Sequence, residues 1–241
     1  QFPDSGTQRA MKPISFSLSL AAFAASALHA SLAAAVGPLP RHDDATRWEF
    51  ALQGGHADLA MDYNGSKVDT AVDMASLALR QRIADRIHLG ILGGWTTLTQ
   101  TDNPAATGLK PYGFHAGLSL DVDIITHDGW SAFGGVAYTY QRVEDDDVGR
   151  AIRLEWDEWR AHLGGSVGLG VTRFYGGASY GAVDGTQRTS GATDGTTRFE
   201  ISGEAGGFLG VDLRVEGDGY IGLEGRTGLD EGWMVYFRHR F

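Results

Sequence analysis

The segment Gly232-Trp-Met-Val-Tyr-Phe-Arg-His-Arg-Phe241 at the end of the sequence alternates between apolar and polar side chains. One face carries Trp233, Val235, Phe237 and Phe241. The other face carries Met234, Tyr236, Arg238 and Arg240. A period of two residues is the period of a β-strand. Soluble edge strands protect themselves with charge, so an apolar face closed by an aromatic residue favours contact with lipid, with the charged face lining a barrel lumen.

This terminal segment resembles the last strand of Gram-negative outer-membrane β-barrel proteins, which ends on Phe after alternating aromatic and aliphatic residues. The resemblance rests on Trp233, Val235, Phe237 and Phe241, and His239 departs from it because it is polar on the lipid-facing phase. In that superfamily the last strand is the recognition signal for the barrel-assembly machinery. The resemblance therefore implies an outer-membrane location and this machinery as a partner during biogenesis. It does not distinguish porin-like, OmpA-like and autotransporter-barrel-like members.

The composition limits the classes of function that the chain can have. Its 241 residues carry a formal net charge of -10, which argues against binding to nucleic acid. No cysteine is available for disulfides or for a lipoprotein anchor. No run of about 18 to 20 apolar residues follows the N-terminal region, so no transmembrane helix is expected there. The 35 glycines lie mostly inside alternating segments, where glycine marks bulges, bends and close backbone approach.

The first 45 residues are predicted to be processed or to lead into the barrel. Residues 1–10 precede Met11 and are interpreted as an upstream extension or an expression remnant. Residues 11–35 combine one lysine, an apolar stretch and an alanine-rich end, which is typical of a signal peptide. Residues 36–45 are a polar periplasmic lead-in, and the barrel domain is predicted to span 46–241. A membrane-anchoring helix is the alternative interpretation of the apolar stretch.

Nine further segments alternate with a period of two and predict an all-β fold, a transmembrane antiparallel up-and-down barrel of about ten strands. The first of them begins at Trp48, and the other eight span 68–83, 87–95, 112–124, 130–140, 152–169, 174–182, 199–213 and 221–229. Aromatic residues at both ends of several segments match the girdles at two membrane interfaces. Eight strands are the alternative count. A soluble β-sandwich or a lipocalin-like barrel, with the apolar face inside, is the alternative fold.

Two segments change phase. A β-bulge is predicted at residues 54–55, because it would keep three later apolar residues on the outer face: Leu59, Met61 and Tyr63. In the sixth segment Leu154 and Trp156 are out of phase with the residues that follow. This predicts either a bulge near residues 157–158 or a strand that extends above the membrane.

The connections between segments indicate the orientation of the barrel. Those after the first, third, fifth, seventh and ninth segments are mostly longer or more polar than the others, and external loops are the longer ones in outer-membrane barrels. Both termini are therefore predicted to lie in the periplasm. Outer-membrane lipid and lipopolysaccharide are the expected surroundings. The predicted loops 144–150 and 184–197 could bind a surface ligand or cations shared with lipopolysaccharide, although such polar runs are usually only solvated.

The polar face of the segments is predicted to fill the lumen with ion pairs, since buried charge is tolerable only when it is paired. The predicted network contains Asp121, Asp123, Arg160, Glu200, Glu204, Asp212, Glu224, Arg226, Arg238 and Arg240. A structural or surface-interaction role in the cell envelope follows from a filled lumen. A narrow charge-lined pore for small solutes or ions is the alternative, although ten strands are well below the sixteen or more that leave an open channel.

An outer-membrane hydrolase is a further alternative. Omptin proteases have ten strands with an acidic pair and an Asp-His pair near the external rim. Asp121 and Asp123 superficially resemble an acidic pair, but their predicted position is near the periplasmic end. Lipid A deacylases use a His-Ser pair that faces lipid, whereas His115 and Ser119 share the inward face here. The sequence therefore predicts no catalytic residue, no cofactor and no metal site.

Overall fold

The computed structural model describes residues 48–147, 149–191, 194–215 and 217–241. The predicted N-terminal extension, signal peptide and lead-in lie outside the described residues. Ten strands form the barrel: β1 Trp48–Tyr63, β2 Ser66–Ala84, β3 Ile87–Gln100, β4 Tyr112–His127, β5 Trp130–Asp147, β6 Arg150–Leu169, β7 Thr172–Ser190, β8 Gly195–Arg214, β9 Gly219–Thr227 and β10 Glu231–Arg240.

The strands form one closed antiparallel barrel in which each strand pairs with its neighbours in sequence and β10 pairs with β1. The ends of the barrel domain meet in a reciprocal pair of backbone hydrogen bonds, both 3.1 Å long, between Trp48 and Phe241. Ten strands are therefore confirmed against the alternative of eight. The described residues contain no helix long and apolar enough to cross a membrane.

An apolar band surrounds the exterior of the barrel. Its middle carries exposed aliphatic residues that include Leu52, Leu77, Ile91, Leu118, Val136, Leu163 and Leu209. Exposed aromatic residues lie towards one edge at Trp95, Tyr112, Tyr138, Trp159, Tyr180 and Trp233, and towards the other at Trp48, Trp130, Phe174, Phe237 and Phe241. In water such a surface would be unstable, whereas between two membrane interfaces it is the expected lipid-facing girdle. The soluble sandwich and the lipocalin-like barrel are therefore wrong.

Most strands are much longer than a membrane requires. β6 has 20 residues, which corresponds to about 66 Å at about 3.3 Å per residue, whereas about 9 to 11 residues suffice to span a bilayer. The additional length projects at the end opposite Trp48 and Phe241, and we call this the external end because outer-membrane barrels carry their longer extensions there. β9 and β10, with 9 and 10 residues, do not share this extension.

The two predicted polar loops are part of the strand extensions, which corrects their assignment as loops. β5 continues to Asp147 and β6 begins at Arg150, so only two residues separate them. β7 continues to Ser190 and β8 begins at Gly195. Their Thr, Ser and charged residues continue the antiparallel ladder of each hairpin, because backbone pairing does not require apolar side chains on both faces.

The inside and outside of the barrel exchange polarity above the membrane. β1 pairs with β2 without a register shift, so residues 54–55 form no bulge, and Leu59 and Met61 point inward and are buried. β6 also continues without a bulge, and Leu154 and Trp156 point inward. The predicted bulges are wrong, and the strand extension predicted for β6 is confirmed. Because water replaces lipid outside the projecting part, its interior must be apolar for it to fold.

The structure places bulges elsewhere, and the one in β8 reverses the predicted faces of that strand. Gly181 pairs with Glu204 and Val183 pairs with Ile201, so two residues of β8 oppose one of β7. Beyond this bulge Ile201 and Phe199 are buried inside the barrel, so the inward phase there is the opposite of that on the membrane side. On the membrane side of the bulge, the inward residues include Phe208 and Asp212, and Asp212 was predicted to face the lumen.

Candidate functional site

The lumen is built around Glu49, a buried carboxylate that was not predicted as part of the network. Cross-strand register places it directly opposite Arg240 on β10 and Arg80 on β2. Its Oε2 atom is 2.9 Å from Arg240 Nε and 3.7 Å from Arg238 Nη1, and its Oε1 atom is 3.4 Å from Arg80 Nη1. One carboxylate therefore neutralises part of the charge of three guanidinium groups at the junction of the first and last strands.

Arg238 is fully buried and is held from two sides. Its guanidinium forms an ion pair with Asp212 on β8, and it lies over the ring of Tyr220 at 4.9 Å from the centroid. The Tyr236 hydroxyl donates to the same Asp212 carboxylate, and the ring of Tyr236 lies 5.9 Å from Arg238. Cation–π contacts replace part of the hydration that a buried guanidinium loses.

Tyrosine hydroxyls connect this group to a second set of charges. The Tyr175 hydroxyl lies 2.9 Å from the Tyr236 hydroxyl and donates to Glu224 Oε2 at 2.8 Å. Glu224 Oε1 accepts from Arg226 Nε at 2.5 Å, and Arg226 Nη1 is 3.9 Å from Asp230. Each hydroxyl carries one proton, which these contacts direct to a carboxylate, so the two tyrosines lie side by side and bring the Asp212 group next to the Glu224 group.

The network extends to the opposite wall through Arg160 on β6. Its Nη1 atom donates to Asp230 Oδ1 at 2.7 Å, and its Nη2 atom donates to Glu158 Oε1 at 2.8 Å. All three groups are buried. Each of these arginines is therefore opposed by carboxylates from its own strand, another strand or a turn, and such pairing is the condition under which buried ions are tolerated.

Asp121 and Asp123 extend the network towards β3 and β4. Asp121 Oδ2 is 3.1 Å from Arg80 Nε, and Asp121 Oδ1 is 3.5 Å from His162 Nε2. Asp123 Oδ2 is 3.0 Å from His88 Nε2. Both aspartates lie near the turn end of β4, as the sequence predicted for the periplasmic side.

The structure places eight of the ten predicted network residues inside the barrel, seven of them beside an oppositely charged side chain and Asp123 beside His88. These are Asp121, Asp123, Arg160, Asp212, Glu224, Arg226, Arg238 and Arg240. Glu200 is exposed on the outer face of β8 beyond the bulge, which reverses its predicted face. Glu204 has the inward phase, since it pairs with Gly181, but it is exposed at the rim where the short β9–β10 hairpin ends.

Four residues of the network were not predicted, and the sequence patterns that could have identified them differ. Glu49 and Arg80 lie on the inward phase of β1 and β2, so alternation could have found them, but only the register shows that they meet. Glu158 follows Leu154 and Trp156 on one unbroken phase that the predicted bulge obscured. Asp230 lies in the connection between β9 and β10, where strand alternation gives no signal.

An apolar core closes the lumen above the ion pairs. Its members include Leu59, Met61, Val72, Met74, Leu98, Leu109, Val143, Ile152, Leu154, Trp156, Val183, Phe199 and Ile201. Trp156 packs edge-on against Phe199 at 6.4 Å, and Tyr63 packs on the other side of Phe199 at 5.1 Å. Burial raises the pKa of Tyr63, which lies at the external tip of β1, to about 12. These contacts leave little room for water along the axis at this level.

Two larger cavities lie at the external end of the barrel. One, of about 540 Å³, lies at the tips of β5, β6 and β7 and is lined by Tyr112, Glu144, Asp146, Arg153 and Arg188 among others. The second, of about 500 Å³, lies between β1, β8 and the β9–β10 connection. The described residues include no group of three His, Asp or Glu side chains that could hold a metal ion.

The closed antiparallel barrel, the apolar exterior and the charged lumen together define an outer-membrane-type β-barrel protein. The solved structures named below, to which it is similar, are outer-membrane barrels of Gram-negative bacteria. The closed barrel and its apolar exterior are those of an outer-membrane protein. No protein-family model and no curated protein matches the sequence.

Three of these structures show the range of proteins with this fold. The translocator domain of autotransporter NalP from Neisseria meningitidis has a TM-score of 0.50 and 11% identity, covering 83% of this chain and 90% of that one. The outer membrane protease OmpT from Escherichia coli has a TM-score of 0.49 and 10% identity, covering 85% and 99%. An outer membrane channel from Pseudomonas putida F1 has a TM-score of 0.49 and 11% identity, covering 87% and 100%. At these identities the likeness concerns the fold alone.

Proposed function

We propose that the protein is a non-conducting outer-membrane barrel without catalytic activity, whose role is envelope structure or surface interaction. The observation that carries this proposal is that side chains fill the lumen at two successive levels along its axis. Paired charges fill the part within the membrane, and the apolar core fills the part above it. An ion that crosses would have to separate buried ion pairs and then enter a region lined mainly by apolar side chains, and both steps are unfavourable.

The apolar core is the stronger argument against a pore. Charge-lined pores conduct because water and ions exchange along polar walls, whereas hydrophobic constrictions close by excluding water. Trp156 and Phe199 are 2% and 1% exposed, and Leu154 and Val143 are fully buried. These large side chains come from β5, β6 and β8, so they close the lumen from several walls.

The positions of the histidines argue against a hydrolase. His88 and His162 contact aspartates inside the lumen, below the apolar core and away from an external substrate. His115 is buried between the hydroxyls of Ser76 and Thr96 at 2.7 and 2.9 Å. A general base must reach the proton that it abstracts from a bound substrate, and these three positions do not permit this.

His56 is the partly exposed histidine near the external end. Its Nδ1 atom is 2.8 Å from Asp73 and its Nε2 atom is 3.4 Å from Asp58. Since carboxylates lie beside both ring nitrogens, neither nitrogen is directed at a hydroxyl nucleophile. This geometry fits a surface hydrogen-bonded group better than the base of a catalytic pair.

The partners that the sequence predicts fit the same role. Trp233, Phe237 and Phe241 are exposed on the outer face, and Val235 is half-buried on the same face of β10. We propose that these four residues act as the signal for the barrel-assembly machinery, because they remain accessible on the closing strand. Lipopolysaccharide would contact the aromatic girdle and the charged outer faces of the projecting hairpins.

Single-channel conductance tests the proposal. The chain from residue 36 to residue 241 would be refolded in detergent, checked by its heat-dependent gel shift and inserted into planar bilayers. We expect no steady conductance from this protein, nor from its Arg226→Ala and Arg238→Ala variants. A steady ion-selective current in the unmodified protein, altered by either substitution, would contradict the proposal and establish a pore.

A further inference from the structure

The wall of the barrel is incomplete above the shortest hairpin. β10 begins at Glu231 and β9 ends at Thr227, whereas their neighbours β1 and β8 continue beyond them. β1 and β8 then meet directly at a single pair, Asp62 and Glu200. The three-sided opening bounded by residues 58–62, 200–206 and 227–231 is called here the β1–β8 window.

The size of the window follows from strand geometry. At its base β9 and β10 separate β1 from β8, which corresponds to about 14 Å for three strand spacings, and at its apex the two strands lie about 5 Å apart. The β1 side extends over four residue steps from Asp58 to Asp62, or about 13 Å. A cavity of about 500 Å³ occupies this opening. One extended segment of about four residues therefore fits in it.

Both sides of the window are strand edges. Within the described ladders, Leu59, Ala60 and Met61 pair only with β2. On β8, Ile201, Glu204 and Ala205 pair only with β7, residues 202–203 form the bulge, and the pairing with β9 begins at Gly207. Backbone donors and acceptors at such an edge are a template for an additional strand. An extended peptide added to an exposed edge is an established mode of recognition.

The side chains around the window select the charge of an added strand. The rim contains six carboxylates and one amine, contributed by Asp58, Asp62, Asp69, Glu200, Glu204, Glu231 and Lys67. Asp62 and Glu200 are directly opposite each other at the apex, and Lys67 is opposite Asp62 on the other side. Like charges directly opposite each other are destabilising, so the single lysine leaves the rim with an excess of negative charge. The floor is apolar, since Leu59, Ile201 and Leu229 also line the cavity and are buried.

We propose that the β1–β8 window binds an extended basic segment of a partner protein by strand addition. Alternate residues of the segment would face the acidic rim and the apolar floor, so the preferred sequence alternates Lys or Arg with small aliphatic residues. Backbone pairing with β1 or β8 supplies affinity, and the carboxylates supply charge selection. This inference specifies the class of partner for the surface-interaction role proposed above, and it rests on that role.

Fluorescence anisotropy with a defined peptide tests the inference. The probe is a fluorescein-labelled hexapeptide of alternating Lys and Val, added to the refolded chain 36–241 in uncharged detergent. A second peptide has Glu in place of Lys, and a third keeps the Lys-Val sequence but is N-methylated at alternate amides. We expect saturable binding of the first peptide and none of the second. The N-methylated peptide should bind at least about tenfold more weakly, because it lacks backbone donors at alternate positions.

Protein variants with equal changes in net charge distinguish binding at the window from general electrostatic attraction to an acidic protein. The window variant combines Glu200→Gln with Glu204→Gln, and the control combines Asp146→Asn with Asp147→Asn at the exposed tip of β5. Both variants would first be shown to fold by the heat-dependent gel shift. We expect about tenfold weaker binding in the window variant and unchanged binding in the control.

Three outcomes would overturn the inference. Equal binding of the N-methylated peptide would show attraction by charge without strand pairing. Equal loss in the control variant would place binding outside the window. If low concentrations of calcium displaced the peptide, and calcium also bound to the protein without the peptide, the window would be a cation site. Conductance in planar bilayers would contradict the non-conducting role without changing the peptide results, so failure of the proposed function can be distinguished from failure of this inference.

Discussion

The substitution Glu49→Gln tests whether the lumen charges stabilise the barrel as one connected network. Gln retains the size of Glu but removes the negative charge that lies within 4 Å of three arginines. Asp212 and Asp121 continue to oppose Arg238 and Arg80, but the total positive charge at the β1–β10 closure is then in excess. Removing one partner from a buried ion pair costs about 3 to 5 kcal/mol, and we expect a loss in this range.

The matched control is Glu144→Gln on the outer face of β5. Glu144 also contacts two arginines, Arg142 at 3.1 Å and Arg153 at 2.9 Å, but its side chain is 52% exposed. Because water and salt screen exposed ion pairs, this substitution should reduce the free energy of unfolding by about 1 kcal/mol or less. The two variants therefore have the same chemical change and similar distances, and they differ mainly in burial.

The assay is equilibrium unfolding in urea, followed by tryptophan fluorescence in detergent micelles and checked for reversibility by refolding. A double-mutant cycle with Arg240→Gln isolates the contact between Glu49 and Arg240, with an expected coupling of about 1 to 3 kcal/mol. Equal small losses in Glu49→Gln and Glu144→Gln would refute the reasoning. That result would mean that water enters the lumen and screens the charges, and it would favour the pore.

Three further substitutions examine the core, a close backbone approach and a buried hydroxyl. Trp156→Ala should lower the free energy of unfolding by about 3 to 5 kcal/mol, measured by the same urea titration, and a loss below about 1 kcal/mol would contradict a packed core. Gly222→Ala places a methyl group 2.1 Å from Cζ of Tyr236, so it should displace this ring and cost about 1 to 3 kcal/mol; an unchanged near-ultraviolet circular dichroism spectrum would contradict this packing. Burial raises the pKa of Tyr63 to about 12 from 10 in the unfolded chain, so its contribution to stability is complete below pH 10 and is lost as the pH rises towards 12. In a titration followed by absorbance at 295 nm, Tyr63→Phe should remove one late-titrating tyrosine, and titration of Tyr63 near pH 10 would show that the external core is open to water.

The barrel could be predicted from the sequence because its main signal is local. Alternation in β4, the turn at residues 64–65 and the aromatic residue at each end of a membrane-spanning segment all require only neighbouring residues. Asn64 and Gly65 both have positive φ angles, 54° and 92°, as expected for the two-residue turn of a hairpin. The strand count follows from adding such segments, and the structure confirms ten.

Prediction failed where the surroundings of a strand change along its length. Alternation identifies two faces, but it does not say which face points inward, and the predictions for β1 and β8 assumed that apolar always means outward. That assumption holds for Leu52 within the membrane and fails for Leu59 above it. The site was incomplete for a different reason, since Glu49 meets Arg80 and Arg240 through register between strands 31 and 191 residues apart.

The same change of surroundings explains why the window exists. Within the membrane, lipid covers the apolar exterior, so the strands can close around charged groups that satisfy one another. Above the membrane, a hairpin persists only if its inward residues contribute to an apolar core. β6 and β8 contribute Leu154, Trp156, Phe199 and Ile201 and therefore continue. The β9–β10 connection contributes only Leu229 to that core, and the residues on either side of it are Gly228 and Asp230. An extension of this hairpin would place no further apolar side chains inside, so it ends at the membrane surface, and the edges of β1 and β8 above it are left available for another chain.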